Sequence, residues 1–297
     1  MIDLRRLKVL RAVAHYGTIT AAARAMHFTT SAASQQIRQL GRELGVVLLE
    51  PNGRNIRLTE AAHTLLAHAD AIEARWEQAE IDLRAAKDEP AGLLRLCSMP
   101  TAVSRLLAPV VAPLTAKYPK LKVQLREVEQ QQAFDLLFAG EADLAVIEVT
   151  PANPPRTDAR FDQRPLTEDV FDLVVPAEHP SAGAEVVDLA AFAKDDWIIS
   201  SVACTCREHT LAACGAAGFT PNIAHDALEW NAIGHLIAHG LGVAMVPRLA
   251  YLAPHLPVKR LRLKNPPSRT LLTCTRGGGF TNPAIAAAHD ALVDAAA

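Results

Sequence analysis

The chain has 297 residues, half of them hydrophobic, few of them aromatic, and a net charge of −2. That length allows more than one domain, the composition suits an Ala/Leu/Val-rich α or α/β protein, and no run of about 18 uninterrupted apolar residues offers a membrane span. The charge is uneven: residues 1–60 hold nine basic and four acidic residues, a net +5 that leaves −7 for the remainder. A basic head on an acidic body is the distribution that a phosphate-binding head needs.

Asp3 is placed to cap a first helix, whose apolar positions are Leu4, Leu7, Val9, Leu10, Val13 and Ala14, and Gly17 ends it. Ala21, Ala22, Ala23 and Ala25 follow, small residues that let another helix approach closely. After the break Met26-His27-Phe28-Thr29, the hydroxyls of Thr29, Thr30 and Ser31 mark a new helix start, and Ala33, Ile37, Leu40 and Leu44 form its apolar stripe. The other face offers Thr30, Ser34, Gln35, Arg38 and Arg42. A short helix, a tight turn and a second helix with a polar face form a helix-turn-helix, whose second helix enters the DNA major groove. Next come VVLLE, Pro51-Asn52-Gly53 and RNIRLT, two short strands about a turn, the wing of a winged helix, with Arg54 and Arg57 on it.

Thr59 then caps an expected long helix over 60–88. Its apolar residues, Ala62, Leu65, Ala69, Ile72, Trp76, Ala79, Leu83 and Ala86, alternate spacings of three and four. That heptad pattern predicts a helix that pairs with another, and Leu65, Ala69, Ile72, Trp76 and Leu83 are the expected dimer contacts. A two-fold dimer presents two recognition helices to a palindromic site. From Leu93 the pattern changes to alternating strands and helices, which predicts parallel sheet flanked by helices. Residues 151–165 read as a Pro-rich loop with an extended tail, FDLVVP opens a second set of elements, and Pro266-Pro267 marks a return crossing before RTLLTCTR and a closing helix. The expected result is two α/β lobes joined by two strand-like crossings, with a ligand seated between them against strand ends and helix starts.

The head segment LRRLKVLRAVAHYGTITAAARAMHFTTSAASQQIRQLGRELGVVLLEPNGRNIRLTEAA resembles the LysR-type transcriptional regulators of bacteria, and the layout of the remainder, including GLGVAMVP, is similar to theirs. The resemblance implies an all-α winged helix-turn-helix head (1–58), a dimerising linker helix (59–89) and an α/β effector domain (90–297) similar to periplasmic solute-binding proteins. Lobe I would hold about 90–162 and 267–297, and lobe II about 163–266. It implies a regulator that binds double-stranded promoter DNA as a dimer or tetramer and responds to a small molecule; the start MIDLRRLKVLRAV does not read as a signal peptide, so a cytoplasmic, non-enzymatic protein with no membrane association, cofactor or metal is expected. The head departs from the family pattern at Thr29-Thr30-Ser31 (often Ser-Gln-Pro), Gln35 (commonly Arg), Gly41 (Glu), Pro51 (Arg) and Ala62 (Gly). Gln35 exchanges a fork that favours guanine for an amide that suits adenine.

By mechanism, Thr30, Ser31 and Gln35 are assigned to base edges, Ser34, Arg38 and Arg42 to phosphate or flanking contacts, and Arg54 to the wing. For the effector, Ser98, Thr101, Ser200, Ser201 and Thr205 lie at strand ends and helix starts that suit a carboxylate. Glu129, Glu148 and Asp226 would suit a cationic group, so an amino-acid-like ligand would use both sets. The five cysteines, Cys97, Cys204, Cys206, Cys214 and Cys274, are odd in number and suggest no disulfide framework. Cys204-Thr-Cys206-x-x-His209 admits a thiol- or metal-sensing reading, but no second ligand cluster follows. No phosphate-binding loop, dinucleotide fingerprint or HExxH motif supports an enzyme.

Overall fold

The computed structural model describes residues 4–52, 55–66, 68, 69, 89–201 and 205–296. They fall into two compact units, residues 1–86 and 87–297. The expected cap Asp3, the wing residue Arg54, the heptad positions Ile72, Trp76, Ala79, Leu83 and Ala86, and Cys204 lie outside the described residues.

In the head, α1 (Leu4–Tyr16), α2 (Ile19–Ala25) and α3 (Thr30–Leu44) pack around Leu7, Leu10, Val13, Ala22, Ala23, Ala33, Ile37 and Leu40. Ala14, expected in this core, is exposed, and Ala12 is buried instead. Thr18 caps α2 by accepting the Ala21 N–H, and Thr29 caps α3 by accepting the Ala32 N–H. The turn between them places His27 at φ 57°, a left-handed conformation rare outside glycine. The hairpin pairs β1 (Leu49–Asn52) with β2 (Asn55–Leu58), Glu50 opposite Arg57. The strand begins three residues later than VVLLE suggests. The Val46 N–H is held by the Gly41 carbonyl, which keeps Val46 and the exposed Val47 in the turn that follows α3. Thr59 accepts the Ala62 N–H and starts α4 (residues 60–66). Ala62, Leu66 and Ala69 are buried in the head's own core and Leu65 packs against it. The first part of the heptad stripe is therefore occupied within this chain.

In the body, β3 (Gly92–Ser98) pairs in parallel with β4 (Leu121–Glu127) and β5 (Leu144–Glu148). Residues 100–117 form α5, a helix interrupted by a π turn at Val103–Leu107, just before Pro109, and α6 (Gln130–Ala139) covers the other face. Because β3 and β5 are covered on both faces, they are near-continuous in apolar residues. Leu94, Leu96, Leu144 and Val146 face one side, and Cys97, Ala145 and Ile147 the other.

The first crossing corrects the sequence reading. The crossing is strand-like as expected, but it is longer than the extended tail of a loop: residues from Phe161 onward belong to β6 (Phe161–Pro176), a 16-residue strand running through both lobes. Its first part pairs antiparallel with β12 (Ser268–Arg276), and its second with β10 (Ala244–Pro247) and β11 (Val258–Leu263). Pro165 makes this stretch read as loop; it lies opposite Leu272, beside the shift in the β6–β12 register between Leu271 and Leu272. β12 returns antiparallel to β5, so the sheet of lobe I is mixed rather than all parallel. Lobe II adds β7 (Val186–Val187), the parallel pair β8 (Asp196–Ser200) and β9 (Asn222–Ala227), α7 (Thr205–Ala216) and α8 (Trp230–Ala238). Its two cores lie around Phe171, Trp197 and Met245 and around Ile198, Ile233 and Val246.

Candidate DNA-reading face and effector site

In α3 the buried positions are Ala33, Ile37, Leu40 and Gly41, while Thr30, Ser31, Gln35, Arg38 and Arg42 are exposed and Ser34 is half-buried. Spacings of four, three and four place Ser31, Gln35, Arg38 and Arg42 along one outward stripe. A side-chain chain fixes the flank of the helix. Arg6 of α1 donates to Gln36 and pairs with Glu43, Gln39 Nε2 donates to Glu43 at 2.9 Å, and Arg42 donates to Gln39 Oε1 at 2.5 Å. Arg57, the described wing arginine, pairs with Glu50 across the hairpin. Gly41 has a packing reason: a Cβ there would stand 2.6 Å from the Val46 carbonyl oxygen.

In the body, the β6–β12 register sets Arg269 directly opposite Asp169. Arg269 Nε and Nη2 donate to Asp169 Oδ2 at 2.9 and 2.8 Å, Nη2 also donates to Thr101 at 3.1 Å, and Nη1 lies 3.6 Å from Glu148 Oε2. The guanidinium is 3% exposed and Asp169 wholly buried. Glu148 ends β5, where it pairs with Leu271, two residues along β12 from Arg269. From lobe II, Thr205 Oγ1 donates to Glu148 Oε2 at 2.8 Å, and His209 Nε2, one helical turn on, donates to Oε1 at 2.8 Å. A buried network thus ties the end of lobe I to the first turns of α7.

The family model for the LysR substrate-binding domain matches residues 87–297, and that for the lysR-family bacterial regulatory helix-turn-helix matches residues 4–63. The chain belongs to the LysR family of transcriptional regulators. It is 29% identical over 261 residues to the HTH-type transcriptional regulator AlsR of Bacillus subtilis, covering 84% of this chain and 82% of that one. It is 25% identical over 285 residues to a hydrogen peroxide-inducible genes activator of Dickeya chrysanthemi, covering 93% and 90%. Among solved structures, a full-length OxyR variant from Pseudomonas aeruginosa superposes with a TM-score of 0.66 at 23% identity, covering 99% of this chain and 98% of that one.

As a LysR-family protein the chain is a non-enzymatic, DNA-binding regulator with an effector-binding body. Of the residues singled out for the effector, Thr101, Glu148 and Thr205 meet in the network around Arg269. Ser98 is buried and its hydroxyl donates to the Val146 carbonyl, and Ser200 is buried at the end of β8. Ser201 is half-buried, its N–H bonded to the Ala227 carbonyl, while Glu129 and Asp226 are exposed. Arg269 and Asp169 are absent from the residues that the sequence singles out, and His209 stands out there only in the motif with Cys204 and Cys206. The available signal was a lone arginine opening the apolar strand RTLLTCT. The described cysteines are all buried. Burial pushes the Cys97 thiol up to about 12 and that of Cys214 to about 11, which keeps them protonated and unreactive. Cys206 lies 3.7 Å from Arg269 Nη1. Among the described residues, no helix is long and apolar enough to cross a membrane.

Burial pushes the Glu148 carboxyl up, but the hydrogen bonds from His209 and Thr205 and the charge of Arg269 outweigh it and hold it below the ordinary 4.5. A folded-state value below the unfolded one means that the unfolded chain binds the proton more readily. The network's contribution is therefore complete above 4.5 and is lost as pH falls through the folded value. Glu148→Gln is expected to flatten the acid side of the melting-temperature curve below that point; an unchanged acid side would contradict this assignment.

Proposed function

We propose that Thr30, Ser31 and Gln35 meet base edges in the major groove, that Ser34, Arg38 and Arg42 meet phosphates or flanking positions, and that Arg54 reaches the backbone from the wing. The outward stripe on α3, opposite a fully buried face, carries this reading. The chain works in the cytoplasm as a dimer or tetramer. Its self-association rests chiefly on Ile72, Trp76 and Leu83, because Leu65 and Ala69 already pack within the head. A small, amino-acid-like effector between the lobes adjusts promoter binding, with Thr101, Ser200, Ser201 and Thr205 nearest to it, Ser98 beneath, and Glu129 and Asp226 at the rim.

Arg38 supplies charge rather than sequence information. Arg38→Ala is expected to weaken binding to all DNA sequences alike and to reduce the slope of log K against log salt by about 1 per protomer. Anisotropy titrations across a salt series measure this, and an unchanged slope would remove Arg38 from the phosphate contacts.

A further inference from the structure

Glu148 occupies a seat that is complete in donors. His209 Nε2 reaches one oxygen at 2.8 Å, Thr205 Oγ1 the other at 2.8 Å, and Arg269 Nη1 stands 3.6 Å from that second oxygen. An imidazole N–H and a hydroxyl converging on one point beside a guanidinium charge are what a free carboxylate requires, while the Nε and Nη2 of that guanidinium are held by Asp169. Here the chain supplies the carboxylate itself, 2% exposed. Its backbone is anchored as well: the Gln130 side chain bonds the Glu148 N–H and carbonyl, and Asn153 donates to the same carbonyl at 2.6 Å. The donors come from α7 of lobe II and from β12, whereas Glu148 comes from β5 of lobe I. An amine finds poor purchase at this point, because both oxygens are already satisfied and the Arg269 cation stands 3.6 Å away.

We propose that Glu148 is a tethered internal ligand, its carboxylate filling the seat on Thr205, His209 and Arg269 that a small carboxylate effector takes by displacing it. This rests on the reading that the effector binds between the lobes. Two carboxylates cannot share one set of donors without strong repulsion, so entry of the effector drives Glu148 out toward water and loosens the tie between β5 and α7. The competitor is intramolecular and acts at an effective concentration of millimolar or above, so the wild-type chain takes small carboxylates weakly.

The test uses the intact protein and simple ions. Melting temperatures of wild type, Glu148→Ala and Glu148→Gln are followed in sodium formate and sodium acetate, against sodium chloride and methylammonium chloride at equal ionic strength. Glu148→Ala vacates the seat and is expected to be stabilised by formate or acetate beyond chloride, saturating at a concentration at least about tenfold lower than any effect on wild type. Glu148→Gln removes the charge but still fills the space and is expected to respond weakly, as wild type does. If Glu148→Ala does not fold in chloride, the folded fraction recovered in formate is the readout. The proposal is overturned if formate and acetate act on Glu148→Ala no more than chloride does, if Glu148→Gln gains as much as Glu148→Ala, or if methylammonium stabilises wild type. Because no natural effector is used, failure here leaves the between-lobe reading standing. That reading fails separately if an identified effector binds equally well to wild type and to Thr205→Val.

Discussion

Arg269→Met is expected to destabilise the body by about 3–5 kcal/mol, because it leaves buried carboxylates without their cation. Asp169 receives both Nε and Nη2 of this guanidinium and is wholly buried, and Glu148 is nearly so. Methionine matches much of the volume, so the loss measures charge compensation rather than a cavity. For a body of this size the melting temperature should fall by on the order of 10 °C. The double variant Arg269→Met with Asp169→Leu should recover part of the loss, since an apolar pair often replaces a buried ion pair at little net cost. Calorimetry on the single and double variants decides this. A single variant that melts with wild type would mean that the network is held together by something other than its one buried cation.

The network also shows where sequence reading stops. The head was legible because its signals are local: Thr18 and Thr29 cap helices three residues ahead, and the apolar stripe of α3 repeats within a single helix. The body's elements were legible one by one, with β8, β9 and β11 falling on DWIIS, NIAHDA and VKRLRL. Their assembly into a site was not. Thr205 and His209 meet Glu148 across 57 and 61 residues, and Arg269 meets Asp169 across 100, through a strand register that no local pattern encodes. Pro165 hid the first half of β6 for a related reason, since a bulge that accommodates proline exists only in the pairing with β12.

Gln35 carries the second large expected effect, on DNA rather than on stability. It is exposed on the stripe between Ser31 and Arg38, so its truncation removes no core packing. An amide at this point can bond adenine in the major groove through two hydrogen bonds, and a bidentate contact of that kind discriminates against the wrong base by about 1–3 kcal/mol. Arg38 and Arg42 on either side supply attraction to any phosphate backbone and do not compensate for the lost discrimination.

If the outward face of α3 reads DNA sequence, truncating Gln35 separates operator binding from binding to random DNA. Affinities of wild type and Gln35→Ala are compared by fluorescence anisotropy, at one salt concentration, on a promoter operator and on random DNA of equal length. The expected result is a loss of about 1–3 kcal/mol on the operator, roughly 5- to 150-fold, with binding to random DNA unchanged. Equal losses on both, or none on the operator, would contradict it.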